Sequence, residues 1–233
     1  MKITWFGHSC FRIDLEESHI LIDPFLTGNG VFEAANIPVS EVAKGITHLA
    51  LTHGHDDHTG DTVSILKESN VPLIAVFELA AYMQGQGVET AEYVNTGGTL
   101  QFEDFSISYV PAWHSSSTIV DGKPLYLGAC CGIVITPKNG KTVYHMGDTD
   151  IFADMALINE MYAPEVGIVP IGDRFTMGAK SASLACKTYF GFETVFPCHY
   201  GTFPIIDQTP DKFVSEMEGQ NVVVPKVGEP VEI

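Results

Sequence analysis

The stretch His53-Gly54-His55-Asp56-Asp57-His58 constrains this chain more than any other part of it. It packs three imidazoles and two carboxylates into six consecutive residues, a density of histidine that a solvated turn rarely shows. Imidazole nitrogen and carboxylate oxygen are donors that divalent zinc, manganese and iron accept. The spacing H-x-H-x-D-H offers more donors than one four-coordinate ion takes comfortably. It therefore points to two ions side by side, a hydrolytic arrangement. Any fold for this chain must present those six residues where further ligands can reach them.

The pattern around the cluster shows how that is done. Thr47-His48-Leu49-Ala50-Leu51-Thr52 reads as an apolar strand that delivers the cluster at its C-terminal end. It is preceded by short branched or aromatic strands, Ile3–Phe6, Cys10–Ile13 and His19–Ile22, and by a loop from Leu26 to Ser40 carrying Gly28, Gly30 and Pro38. A helix is expected over Asp57–Ser69, then a buried strand Pro72–Phe77 and a short helix Glu78–Gln84. Further strands are expected over Thr99–Ala112, Tyr126–Thr136, Thr142–Met146, Val166–Ile171 and Thr194–Cys198, with a closing strand Val222–Val224. Helices are expected over Phe152–Met161, Ala179–Tyr189 and Asp211–Glu218. The order is an α/β layering of two similar halves, each of strands followed by helix, in one domain over residues 1–233.

Bulk properties narrow the function. A formal net charge of −17 with 12 scattered Lys and Arg disfavours a nucleic acid partner. No apolar run is long enough to cross a bilayer, and Met1-Lys2-Ile3-Thr4-Trp5 lacks the pattern of a secretory signal, so the expected location is cytoplasmic with no membrane partner. Cys10, Cys130, Cys131, Cys186 and Cys198 are odd in number with no CxxC, which fits reduced buried thiols. Cys198 adjoins a candidate ligand, but a small apolar core residue is the commoner role for cysteine. Apolar residues of the Leu26–Ile37 loop offer a contact for a possible homo-oligomer.

A two-ion site needs about six or seven protein ligands, since each ion takes about three plus water. Three positions downstream have the required form: His114 after Val110-Pro111-Ala112-Trp113, Asp148 in Met146-Gly147-Asp148-Thr149, and His199 after Thr194–Cys198. Each is a ligand-type residue just beyond an apolar strand. Alone, His114 or His199 reads more often as a hydrogen-bonded histidine than as a ligand, and Asp148 as a turn aspartate or a helix N-cap. Together they supply the number of ligands the cluster lacks.

The set His53-x-His55-x-Asp57-His58, His114, Asp148 in a Gly-Asp-Thr turn and His199 resembles the ordered motifs of the metallo-β-lactamase superfamily. Asp23 in Leu21-Ile22-Asp23-Pro24 resembles the superfamily's aspartate after an early strand, and Gly7-His8-Ser9 and the Ile171–Gly178 stretch are similar to the small metal-dependent hydrolases related to ascorbate-6-phosphate lactonases. The resemblance implies a four-layer αβ/βα sandwich with two divalent ions, zinc first and manganese or iron as alternatives, at the edge between the sheets. It implies one ion on His53, His55 and His114, a second on Asp57, His58 and His199, and Asp148 between them. It also implies a bridging hydroxide as nucleophile, oriented by Asp57.

Asp23 is then a partner that fixes a ligand histidine, or a capping aspartate before Pro24. His8 is placed at the site mouth as a substrate contact or proton donor. Arg174, Phe175 and Tyr200 are candidate substrate contacts, Arg174 through an anionic group. His19, His48 and His145 read as structural. The expected activity is hydrolysis of a small-molecule ester, lactone or phosphoester. A phosphodiesterase or nuclease on the same scaffold, or a non-catalytic metal-binding protein, are the alternatives.

Overall fold

The computed structural model describes residues 1–233. Two mixed sheets lie face to face. The first contains β1 (Lys2–Trp5), β2 (Phe11–Asp14), β3 (His19–Ile22), β4 (His48–Ala50), β5 (Leu73–Val76) and β6 (Ala91–Val94). The second contains β7 (Thr99–Gln101), β8 (Phe105–Pro111), β11 (Cys131–Pro137), β12 (Val143–His145), β13 (Val166–Pro170) and β14 (Thr194–Cys198). Between β8 and β11 the chain makes a separate hairpin of β9 (Ser117–Val120) and β10 (Lys123–Tyr126). The C-terminal β15 (Val231–Glu232) returns to the first sheet, whose order is β15-β1-β2-β3-β4-β5-β6; the second runs β14-β13-β12-β11-β8-β7.

The helices are α1 (Gly30–Glu33), α2 (Val39–Val42), α3 (Asp56–Thr59), α4 (Thr62–Ser69), α5 (Phe77–Gly85), α6 (Met155–Tyr162), α7 (Ala179–Tyr189) and α8 (Asp211–Glu216). Strands such as β5 and β13 are buried along their whole length, as continuous apolar runs in parallel pairing should be. The inner faces share one core. Phe11 packs edge-on against Phe196 and His145, and the Tyr109 hydroxyl donates across the sandwich to the Ile74 carbonyl at 2.8 Å.

This topology sets the site. β1 and β2 are antiparallel, as are β2 and β3, while β3 to β6 are parallel. β1, β3 and β4 therefore end on the same side. In the second sheet β8 and β12 each run antiparallel to β11, and β12 to β14 are parallel, so β8, β12 and β14 share an end. Loops after these six strands carry His8, Asp23, the 53–58 cluster, His114, Asp148 and His199. Carboxyl ends of parallel strands are where α/β folds collect their sites.

Several expectations need correction. The helix expected over Asp57–Ser69 is two helices, α3 and α4. Gly60 breaks them with φ of 31°, and a Cβ there would lie 2.5 Å from the Pro24 carbonyl oxygen. The Leu26–Ser40 segment holds α1 and α2, with Asn29 capping α1 through bonds from Val31 and Phe32. Its Leu26 and Phe32 are buried in the core, while Val31 and Ile37 are half-buried. Tyr126–Thr136 is not one strand, because Tyr126 closes the hairpin and the sheet resumes at Cys131. Val222 makes only an isolated bridge to Val195, and the closing strand is β15.

Candidate metal centre

The structure brings all seven sequence-identified ligand candidates together, in three overlapping groups. His53, His55 and His114 form one; His8, Asp57, His58 and His199 form another; His53, His58 and Asp148 lie between them. Within each group, one potential ligand atom per residue lies within 4.8 Å of the others. Asp148 spans the two outer groups. Its Oδ1 is 3.3 Å from His58 Nε2, and its Oδ2 is 3.1 Å from His199 Nε2 and 3.5 Å from His114 Nε2.

The backbone is bent to achieve this. His8, Asp23 and His199 adopt φ of 50°, 46° and 58°, the left-handed region that non-glycine residues seldom occupy. Such strain gathers at functional sites, where the surroundings over-determine it. The His8 and His199 turns are tied together by a backbone bond from His199 N to His8 O at 3.1 Å. Gly147 precedes Asp148 with φ of 64°, and a Cβ there would meet the Cys131 carbonyl oxygen at 2.5 Å. His145 accepts from Gly147 N on Nδ1 and donates from Nε2 to Ser9 O, bracing the turns of Asp148 and His8 together.

Outer partners orient the rings. Asp23 Oδ2 lies 2.7 Å from His58 Nδ1, and the same carboxylate accepts from the Thr52 amide and hydroxyl. Fixing the remote ring nitrogen in this way selects which nitrogen faces the cluster. His53 Nδ1 lies 3.0 Å from Thr52 Oγ1, and His55 Nε2 lies 3.3 Å from Ser115 Oγ. His8 Nδ1 lies 2.6 Å from Thr202 Oγ1, and its Nε2 3.2 Å from Asp57 Oδ2.

Electrostatics divide the groups. Burial, aided by the neighbouring imidazoles, holds His53 well below the ordinary histidine range, and lowers His55 and His114 against the opposing pull of nearby carboxylates. Neutral imidazole is the form that binds metal. His58 behaves oppositely: burial would lower it, but Asp148 and Asp23 outweigh burial and raise it well above the usual value. Asp148 and Asp57 are lowered, their histidine partners overcoming the cost of burial.

The donor set fits divalent ions. His58 Nε2, His199 Nε2 and Asp148 Oδ1 are buried without a hydrogen-bond partner; although they approach one another, they lack hydrogen-bond geometry. Buried polar atoms left this way are costly unless something else satisfies them, and a cation among them does so.

Other expectations resolve differently. His8 is fully buried with both nitrogens engaged, beneath the mouth and not at it. Burial, with His199 and His58 close by, pushes its pKa down to about 4, so near neutral pH the ring is uncharged and its one N–H is shared with Asp57 or Thr202. Tyr200 is 7% exposed and stacks on Trp5 at 5.3 Å, a core contact unable to meet substrate. Arg174 and Phe175 are exposed on the loop before α7, the guanidinium lying over the ring, and neither lines the cavity at the cluster. Cys198 is buried and outside the ligand groups.

That cavity, of about 500 Å³, opens over His55, Asp56 and Asp57 and is walled by Phe25, Phe203 and the hairpin residues Ser117 to Ile119. Phe25, Phe203 and the hairpin went unrecognised in the sequence, because no motif marks them and only long-range folding brings them to the site. A larger cleft of about 670 Å³ beside α7 and α8 contains none of the histidines, so the chemistry is assigned to the smaller one.

The family profile of the beta-lactamase superfamily domain matches residues 2–199. The chain belongs to the metallo-β-lactamase superfamily. Among its relatives, a UPF0173 metal-dependent hydrolase of Methylocella silvestris is 52% identical over 230 residues, covering 98% of both chains. One from Brucella abortus is 54% identical over 218 residues, covering 93% of this chain and 91% of the relative. The solved structure of Igni18, a metallo hydrolase from Ignicoccus hospitalis, superposes with a TM-score of 0.87 at 33% identity, covering 99% of this chain and 97% of that one. An isothiocyanate hydrolase from Delia radicum gut bacteria, at 20% identity and a TM-score of 0.79 over 100% of this chain and 99% of its own, shares the fold. Like its relatives in the superfamily, the chain is a metal-dependent hydrolase with the metallo-β-lactamase fold. None of its helices is long and apolar enough to cross a membrane.

Proposed function

We propose that the chain hydrolyses a small-molecule ester, lactone or phosphoester at a dinuclear centre, with zinc the first candidate and manganese or iron the alternatives. His53, His55 and His114 would hold one ion, Asp57, His58 and His199 the other, and Asp148 would reach both. The observation that carries this reading is Asp148, whose two oxygens face histidines of the two outer groups within 3.5 Å. When bound, two such ions polarise the scissile group and make hydroxide available near neutral pH, the pKa of bound water falling from about 15.7 to about 7.

The chain's own residues do the rest. Asp57, ionised and part-exposed at the cavity floor, accepts a hydrogen bond from the attacking water and orients it. His8 holds the Asp57 carboxylate in place, and Thr202 holds His8. Asp23 does the same for His58. The cavity wall excludes water from around the bound substrate. The nuclease alternative lacks support, because no Lys or Arg lines the cavity.

The test is turnover of a panel of esters, lactones and phosphoesters before and after chelation. Activity should vanish with the metal and return on reconstitution; activity indifferent to chelator would refute the reading. His114→Ala is a cleaner ligand variant than His58→Ala. Removing the His58 ring would also strip the buried Asp23 carboxylate of an ionic partner, at a cost of about 3–5 kcal/mol of stability.

A further inference from the structure

The walls of the cavity differ in kind from its floor. Phe25 and Phe203 stack at 6.0 Å with 18° between their planes, and Ile119 faces the same cavity from the hairpin. The hairpin is fastened over the site by a 2.6 Å bond from the Thr118 hydroxyl to Asp56. The ionisable side chains in the lining are the His55 imidazole and two carboxylates, Asp56 and Asp57.

No cation is positioned for an anionic substituent. Of the 12 Lys and Arg, none lines this cavity, and six are held in ion pairs elsewhere. Recognition of a carboxylate or phosphate uses Arg or Lys at hydrogen-bonding distance. Metal charge at the floor would serve the scissile group itself. A second anionic group further along the substrate would meet aromatic rings, Ile119 and the field of two carboxylates.

Resting on the hydrolytic reading above, we propose that the substrate is an ester or lactone whose substituent beyond the scissile bond is uncharged and apolar, lodged against Phe25, Ile119 and Phe203. A metabolite bearing a peripheral phosphate or carboxylate is excluded from this site.

The test uses the full chain reconstituted with zinc or manganese and 4-nitrophenyl esters that differ only in the acyl group. Across acetate, butyrate and hexanoate, kcat/KM should rise about two- to fourfold per added methylene. The glutarate half-ester, with a terminal carboxylate, should fall at least about tenfold below the neutral ester of similar length. Phe203→Ala and, independently, Ile119→Ser should flatten the chain-length dependence while metal content stays at the wild-type value. Calorimetry with butanamide and hexanamide provides a binding readout, the longer amide binding more tightly to wild type and equally with butanamide to Phe203→Ala. A flat chain-length series, or a half-ester turned over as well as its neutral partner, would overturn the inference while leaving the hydrolytic reading intact. Length-dependent amide binding with no ester cleaved would instead refute acyl hydrolysis and keep the apolar wall.

Discussion

The two outer ligand groups are built from the same motif yet differ in character. His53, His55 and His114 are imidazoles alone, steadied at their remote nitrogens by hydroxyls or not at all. His8, Asp57, His58 and His199 include a carboxylate, and His58 leans on the buried Asp23. Neutral ligands leave an ion its full charge, which suits polarisation of a substrate oxygen. A set that includes a carboxylate offsets part of the ion's charge and can orient a bound water. The difference teaches that one six-residue stretch can contribute to two unlike ligand groups, because α3 carries Asp57 and His58 toward His8 and His199 while His53 and His55, ahead of it, gather with His114.

The largest expected effect comes from erasing what the groups share. Asp148→Asn should cost about a thousandfold in kcat/KM, equivalent to about 4 kcal/mol of transition-state stabilisation, with metal lost from both groups. Loss of one ion only, by elemental analysis, would mean that Asp148 belongs to a single group. Asp23→Asn should act on one side alone. It should weaken metal affinity at the carboxylate-bearing group about 10- to 100-fold and leave the imidazole group unchanged, measured by competitive titration with a chelator.

A smaller effect sharpens the contrast from outside the site. The Asp104 carboxylate, in the turn between β7 and β8, accepts from the Ser18 hydroxyl at 2.6 Å and from the Ser18 amide at 3.0 Å, pinning the second sheet to the first. Burial would raise its pKa, but the bonds from Ser18 and the Glu17 amide hold it below the usual carboxylate range. Asp104→Asn should lower stability by about 0.5–1 kcal/mol in urea denaturation, the carboxylate being open to solvent that screens it, without altering metal content. Because the folded pKa is depressed, this contribution is complete above pH of about 4 and is lost as pH falls through the folded value. The smallest effect is expected for Thr202→Val, a few-fold loss in kcat from a less well-held His8. An unchanged kcat would show that Asp57 alone orients His8.

Legibility in the sequence tracked chain distance. The 53–58 cluster was visible because its ligands are neighbours. His114, Asp148 and His199 were visible because each follows an apolar strand, and the topology places those strand ends on one edge. Asp23 and His58 meet across 35 positions, and no local pattern decided between a ligand partner and a cap for Asp23. Tyr200 misled because a residue next to a ligand can point the other way, here onto Trp5. The hairpin was hidden because Ser117 to Tyr126 has exposed, mixed polar and apolar faces with no alternation toward a core. The break at Gly60 was readable only once Pro24 was known to press against it.

The central claim is that two unlike groups each hold an ion, and metal content per chain measures it most directly. After reconstitution and removal of free metal, the account predicts two ions in wild type and one in His114→Ala. A wild-type protein that saturates with one ion, or a His114→Ala variant that retains both, would contradict it.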